Sequence, residues 1–428
     1  MSSNYPLWYR SRGYLHFDLP VSFKKAKCLV TNPNLVSKHA FFPLISYVVE
    51  SKKISKNRTT RKINVALKER PIAYSSHIDS HIYAFYADLL SEKYENKLKS
   101  AGLSECVLAF RGLRKSNIDF AHEAFQQIKA MGECSAVALD FSKFFEGLDH
   151  QIIKQSWINL LGEKRLPNDH FNVFKSITKF SQVDKIELYK KLDISLNNPK
   201  KDRDRVCSVQ DFRDVVRKGK LIKTNKNSFG IPQGSPISAL LSNIYMFDFD
   251  SEMKRYMDIH GGKYYRYCDD MLFIVPSQLK NNVAGYAQER VKQLKVSINH
   301  KKTELRTFKY QNGVLTADQM LQYLGFMFDG ENAYIRSSSL ARYSEKMKRG
   351  VRLAKKTMRK YNVIRVSKGL PEKEVFKRKL YSRYTHLGGR NFITYGLRAA
   401  NKMQSKTIKR QLKPLWRRFH EELGNKTK

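Results

Sequence analysis

Apolar residues recur along this chain at spacings that change from helical to alternating and back. Over 71–100, Ile78, Ile82, Phe85, Tyr86, Leu89 and Leu90 fall on one face of a helix. The stretch AVALDFSKFFEGL at 136–148 reads as an apolar strand running into a turn, and 151–180 reads as helical. Residues 181–228 are polar, rich in Lys and Asp, with short helical pieces, and are expected to form an insertion or irregular connection. Gly and Pro punctuate FGIPQGSPISALLSN, and a helix is expected from about Ile237. In KYYRYCDDMLFIV, β-favouring segments Tyr264–Tyr267 and Met271–Val275 flank two acids, the pattern of a hairpin with Asp269 and Asp270 at its tip. A helix over 281–295 and a second hairpin pairing Tyr323–Phe328 with Tyr334–Arg336 follow. From 340 the pattern is helical, with a stripe at Val351, Leu353, Ala354 and Met358. No repeat and no long linker interrupts these elements.

Charge changes this picture from a generic globular protein to a polyanion binder. Of 428 residues, 80 are Lys or Arg and 39 Asp or Glu, a formal net charge of +41. Nucleic acid is the first partner such a surplus implies. Residues 340–428 alone carry 27 Lys and Arg against 5 Asp and Glu, so their helices are expected to pack one apolar face and present charge outward. The basic run SKKISKNRTTRK at 51–62 is expected to be an exposed or phosphate-contacting loop. Aromatics at 12% suit base stacking as well as packing. The five cysteines are widely spaced and form no C-x-x-C pair, which fits a reducing compartment. The longest apolar run, Phe41–Val49, is too short to span a membrane, and MSSNYPLWYR has no signal-peptide core. A soluble cytoplasmic protein with no membrane partner is expected.

Adjacent carboxylates repel when ionised, so Asp269 and Asp270 call for a cation beside them. Asp140 ends the apolar strand Ala136–Leu139 and is placed to join them. Three carboxylates converging from two strands suit a two-Mg²⁺ site that activates a 3′-hydroxyl and stabilises a leaving pyrophosphate. Oxygen-only ligands with no His nearby favour Mg²⁺ over Zn²⁺.

ALDFSKFF, GIPQGSPISALLSN, YRYCDDMLFIV, INHKKTEL and YLGF occur in this order, and each resembles a successive motif of the reverse transcriptase family. The resemblance covers roughly residues 70–330. It implies an α+β right hand with an antiparallel palm sheet and a basic helical thumb. The expected divisions are 1–135 for an N-terminal extension and fingers, 136–335 for the palm with 181–228 as a fingers or insertion segment, and 336–428 for the thumb. Asp140, Asp269 and Asp270, with the Phe141 carbonyl, would hold two Mg²⁺. Phe145 would be the steric gate that rejects a 2′-hydroxyl, while Phe144 or Phe145 also serves the core. Gln233 and Gly234 would contact the nucleotide, with Gly234 allowing close approach. Arg111 would grip the triphosphate, with Arg114 and Lys115 as further candidates. Lys302 would sit near the triphosphate as a general acid, its register shared with Lys301. Tyr323, Leu324 and Gly325 would form the primer grip.

The text KERPIAYSSHIDSHIYAFYADLLSEKYE is similar to prokaryotic defence-associated enzymes of the "unknown group". The likeness is greatest to their second class. It implies dNTP polymerisation on a cognate structured noncoding RNA, copied into concatemeric cDNA in antiphage defence. A template-independent or protein-primed DNA polymerase of abortive-infection type, an RNA-dependent RNA polymerase and a non-catalytic RNA-binding scaffold remain alternatives. Phe145 argues against rNTP use.

Overall fold

A computed structural model describes residues 5–56 and 63–424, with side chains considered outside 52–66. The second half of the run expected to be exposed or phosphate-contacting, 57–62, lies outside the described residues. After helices Phe23–Val30 and Pro33–Ser37 the chain builds a long antiparallel hairpin, β1 (Leu44–Lys56) and β2 (Ile63–Tyr74). Helices His77–Ser100 and Asn117–Met131 lead to β3 (Cys134–Ser142). Beyond helices His150–Leu161 and Asn168–Thr178 come β4 (Ser181–Asp184) and β5 (Lys223–Thr224). Helices Ser238–Tyr245 and Phe247–Ile259 precede β6 (Lys263–Tyr267) and β7 (Asp270–Val275). Helix Lys280–Gln293 separates these from β8 (Ser297–Ile298), β9 (Glu304–Gln311) and β10 (Val314–Ala317). Then come β11 (Leu321–Tyr323), β12 (Phe326–Phe328) and β13 (Ala333–Ile335). The chain closes with helices Ser337–Val366, Arg378–Tyr384, Phe392–Lys402 and Lys406–Gly424.

The central sheet runs β10-β9-β3-β7-β6, with β8 beside β3, and all its pairings are antiparallel. Both of its faces are covered. Ala136, Leu272, Ile274 and Phe308 pack with Ile118, Ala121 and Phe125, while Val137, Leu139, Phe273 and Val275 pack with the opposite core. This explains why β3 and β7 read as continuous apolar runs rather than alternating ones. Each buried Leu, Ile or Phe contributes roughly 1.5–3 kcal/mol, which fixes the sheet as a rigid platform.

Four expectations are corrected. Residues 71–74 complete β2, and the helix starts at His77, where Ser76 accepts from the Asp79 N–H as N-cap. Residues 151–180 divide into two helices, the first ended by Gly162 at φ +73°. Segment 181–228 holds short helical pieces as expected, among them Lys185–Lys191, but it is not irregular throughout: β4 pairs in parallel with β1, extending a sheet of order β2-β1-β4-β5. Val183, Leu188, Val206 and Val216 share a core with Leu15, Phe17 and Ile45. In the Ser337–Val366 helix the buried stripe is Tyr343, Met347 and Val351, and Leu353 stands 64% exposed. No helix among the described residues is long and apolar enough to cross a membrane.

Candidate active site

Asp140 in β3 lies directly opposite Asp270 in β7. Such cross-strand partners have Cβ atoms about 4.5–5.5 Å apart. Tyr267 pairs with Asp270, so Cys268 and Asp269 form a two-residue hairpin loop. Cys268 takes φ +59°, a left-handed conformation at the first loop position. The turn thereby sets the third carboxylate beside the other two.

The electrostatics register this convergence. Burial, then Asp269 and Asp140, push the Asp270 carboxyl up to about 7, against the opposing pull of Lys302 and Lys68. Burial first and Asp269 next also raise Asp140. The Lys302 ammonium donates to Asp140 Oδ2, which brings this lysine to the acids. Asp140 Oδ1 is buried without a partner.

Among the described residues no three His, Cys, Asp or Glu side chains form a ready-made metal cage. The acids are instead balanced by Lys302. An orphaned carboxylate oxygen, an all-oxygen donor set and a repelling acid pair nevertheless fit a hard divalent cation, which would take over the neutralising role. Phe141 follows Asp140 in β3 with its ring buried and stacked 4.8 Å from Phe144.

A buried network holds the acidic turn from beneath. Arg266 is fully buried, and its Nη1 donates to the Cys268 carbonyl (3.1 Å) and Asn243 Oδ1 (3.0 Å). Its Nε and Nη2 bind Asp250 at 2.7 and 2.5 Å, and Tyr264 donates to Asp250 Oδ1 at 2.7 Å. Burial opposes the guanidinium charge, but Asp250 overrides it and holds the pKa above its ordinary value. An arginine inside an apolar strand two residues before the acidic loop was the available signal for this role.

On the nucleotide side, the structure places two cations that sequence reasoning missed. Lys68 in β2 has its pKa lowered by desolvation first and then by Lys302 and Arg70, with Asp140 and Asp269 opposing. Lys68 thus lies within electrostatic range of the acids, with Arg70 nearby. No chemical role was read for Lys68 or Arg70 in the sequence; the fold brings Lys68 within range of the acids. Arg111 is a correction. Its guanidinium binds Glu95 at 2.8 and 2.6 Å and the Ser104 and Val107 carbonyls at 2.7 and 2.6 Å. It is a structural clamp here, not a free anion grip. Lys115 likewise pairs with Glu123 at 2.6 Å.

Phe144 is core, whereas Phe145 is half-buried and its carbonyl accepts from Ile231 N–H at 2.9 Å. That bond ties the gate candidate to the loop carrying Gln233. The half-buried Gln233 accepts from Ala73 N–H at 2.8 Å through its own carbonyl. Gly234 sits at φ +120°, and a Cβ there would meet the Ala73 carbonyl at 2.6 Å. The glycine therefore lets the loop pack closely on β2 while its own position stays exposed.

Leu324 (φ +46°) and Gly325 (φ +92°) form the β11–β12 turn, the type I′ pattern. Asn117 Nδ2 donates to the Leu324 carbonyl at 3.0 Å and to Tyr395 Oη at 2.9 Å, bracing the turn against a C-terminal helix. Tyr323 is buried.

Residues 56–328 match the family described as "Reverse transcriptase (RNA-dependent DNA polymerase)". No curated protein matches the sequence. Among solved structures, apo telomerase from Candida tropicalis, truncated from the C-terminal domain, is similar at 11% identity and TM-score 0.43, covering 71% of this chain and 59% of that one. Telomerase from Candida albicans in complex with the TWJ fragment of telomeric RNA is similar at 9% identity and TM-score 0.38, covering 91% and 64%. The chain spans less than two thirds of the length of these solved chains.

Proposed function

This chain belongs to the reverse transcriptase family, with its α+β right-hand fold, and from that premise we propose that it copies a cognate structured noncoding RNA into concatemeric cDNA in antiphage defence. RNA-directed DNA polymerisation is the family's activity, and its members use divalent metal ions. The observation that carries the reading of the site is Asp140 opposite Asp270, with Asp269 in the adjoining turn. The defence role is supported by the resemblance of the fingers-side sequence to prokaryotic defence-associated enzymes, and a cytoplasmic location goes with it.

In the proposed reaction a 3′-hydroxyl attacks the α-phosphorus of a dNTP and pyrophosphate leaves. Asp140, Asp269, Asp270 and the Phe141 carbonyl would hold two Mg²⁺, which lower the hydroxyl pKa and stabilise charge on the leaving oxygen. Lys68 and Arg70 would take the triphosphate charge from the hairpin above. Lys302, released from Asp140, would protonate the departing pyrophosphate. Phe145 would present an apolar ring to the sugar C2′ and exclude a 2′-hydroxyl. Gln233 would orient the incoming nucleotide.

Purification from the native context, followed by sequencing of the copurifying RNA and DNA, tests the proposal. One enriched structured RNA with complementary repeating cDNA is expected. Untemplated or protein-linked DNA would favour the abortive-infection alternative. Heterogeneous RNA without matching cDNA would leave a polymerase without the dedicated template.

A further inference from the structure

Trp416 is the one tryptophan of the three that stands open to solvent: it is 41% exposed, against 7% for Trp8 and 0% for Trp157. Indoles are on average well buried, so an open one carries information. Its helix, Lys406–Gly424, packs through Ile408, Leu412, Leu415 and Phe419. Lys409, Lys413, Trp416 and His420 form a separate stripe at helical spacing beside that face. Both lysines are exposed. The indole is firmly held. Its ring centroid lies 4.3 Å from that of His420 and 4.8 Å from that of His386, at tilts of 53° and 46°. His420 is itself locked by two bonds. A carbonyl can only accept, so Nδ1–H donates to the Trp416 carbonyl at 3.0 Å. In the neutral ring Nε2 then accepts from the Tyr381 hydroxyl at 3.1 Å. His386 and Leu387, both exposed, come from the loop after helix Arg378–Tyr384. The acids of the C-terminal helix, Glu421 and Glu422, are engaged by Arg417 at 3.3 Å and Arg352 at 2.9 Å. The stripe beside the indole is therefore left positive.

A rigid, open π-face next to a row of ammonium groups matches one ligand chemistry. A nucleobase stacks on the indole while the phosphates beside it meet the lysines. Bases inside a duplex have both faces covered by their neighbours, so only an unpaired base can offer a face to Trp416. We propose that Trp416, on its stripe with Lys409 and Lys413, is a stacking site for one unpaired nucleobase of a single strand. Every base has such a face, so the site selects single strands over duplexes rather than one sequence. The RNA strand and the DNA product share this chemistry, and the test separates them. The site uses none of the groups gathered at Asp140, Asp269 and Asp270, and it goes beyond the polymerase reading rather than restating it.

Intrinsic fluorescence of the full chain tests this, because the other two indoles are buried. The probes are oligoadenylate, its deoxy counterpart, an abasic strand with the same number of phosphates, and a fully paired RNA–DNA hybrid. A base-bearing single strand should quench the exposed emission on binding, whereas the abasic strand and the hybrid should bind without that quench. Quenching by RNA alone assigns the site to an RNA strand, by DNA alone to the product, and by both to a site blind to the sugar; each supports the proposal. Trp416→Leu should bind the quenching strand about tenfold more weakly and the abasic strand as wild type does. Trp416→Phe should recover part of that loss. Binding of base-bearing strands without quenching, equal quenching by the hybrid, or unchanged single-strand affinity in Trp416→Leu would overturn the site and leave the patch to a protein partner. The wild-type quench keeps the test decisive if the Leu variant fails to fold. Primer extension is scored on the same preparations. Extension without any quench sinks the stacking site and leaves the polymerase reading; a quench without extension does the reverse.

Discussion

Replacing Arg266 by Met probes how the acidic turn is held. Arg266 and Asp250 are both fully buried, and two of the guanidinium nitrogens bind the carboxylate. Arg266→Met leaves the Asp250 carboxyl group in the interior without its cation, with the Tyr264 hydroxyl as its remaining partner from this network. Breaking a buried pair in this way costs about 3–5 kcal/mol, a large share of a typical stability of about 5–15 kcal/mol. The double variant Arg266→Met/Asp250→Leu removes both charges. Apolar replacement of a whole pair is often neutral; the Cys268 carbonyl and Asn243 Oδ1 lose their donor in both variants, but the double variant also leaves the buried Tyr264 hydroxyl without Asp250, worth about 1–3 kcal/mol. The double variant should therefore be more stable than Arg266→Met by roughly 2 kcal/mol. It should not regain activity, because the loop carrying Asp269 has lost its tether; a displacement of about 1 Å costs about a hundredfold in rate. Urea unfolding under reducing conditions gives the stabilities, and single-nucleotide incorporation at saturating hybrid gives the rates. A double variant with wild-type incorporation would refute the tethering argument. So would an Arg266→Met variant that loses less than about 1 kcal/mol.

Three further outcomes are expected. Phe145→Ala should lower the preference for dNTP over rNTP by about tenfold or more, read by competition between the two on one template; unchanged selectivity would remove Phe145 as the gate. Lys68→Ala and Arg70→Ala should each raise the dNTP KM about tenfold with hybrid affinity nearly unchanged, whereas equal effects on both would place these cations on the template instead. Burial holds His16 down at about 3 and His81 at about 4, against about 6.5 in the unfolded chain. The unfolded state then binds protons first, so stability falls as pH drops below about 6.5. By pH 5 the loss should be roughly 2 kcal/mol for each histidine; urea midpoints that stay flat between pH 7 and pH 5 would contradict it.

The centre of the site was legible in the sequence because its parts are local. Asp140 ends an apolar run, Asp269 and Asp270 sit in a two-residue loop, and antiparallel pairing of those runs puts Asp140 opposite Asp270. Phe144 and Phe145 also divided as expected, one buried and one half-exposed. What failed was long-range. Lys68 comes within electrostatic range of Asp140 across the fold with no periodic signature to announce it. Arg111 satisfied a motif position, but Glu95, sixteen residues earlier on a helix, claims its guanidinium. β4 and β5 are four and two residues long, too short for alternation to show, and the partner of β4 lies more than a hundred residues away in β1. Gly234 is a constrained glycine as expected, and its neighbour, the Ala73 carbonyl, is one that no local pattern announces.

The central claim is that Asp140, Asp269 and Asp270 perform DNA synthesis on RNA. Its most direct test is dNTP incorporation on an RNA template by wild type and by Asp269→Ala/Asp270→Ala, with RNA affinity measured on the same preparations. The account predicts Mg²⁺-dependent, template-directed synthesis by wild type and none by the double variant, with RNA binding retained. Undiminished synthesis in the double variant would contradict it.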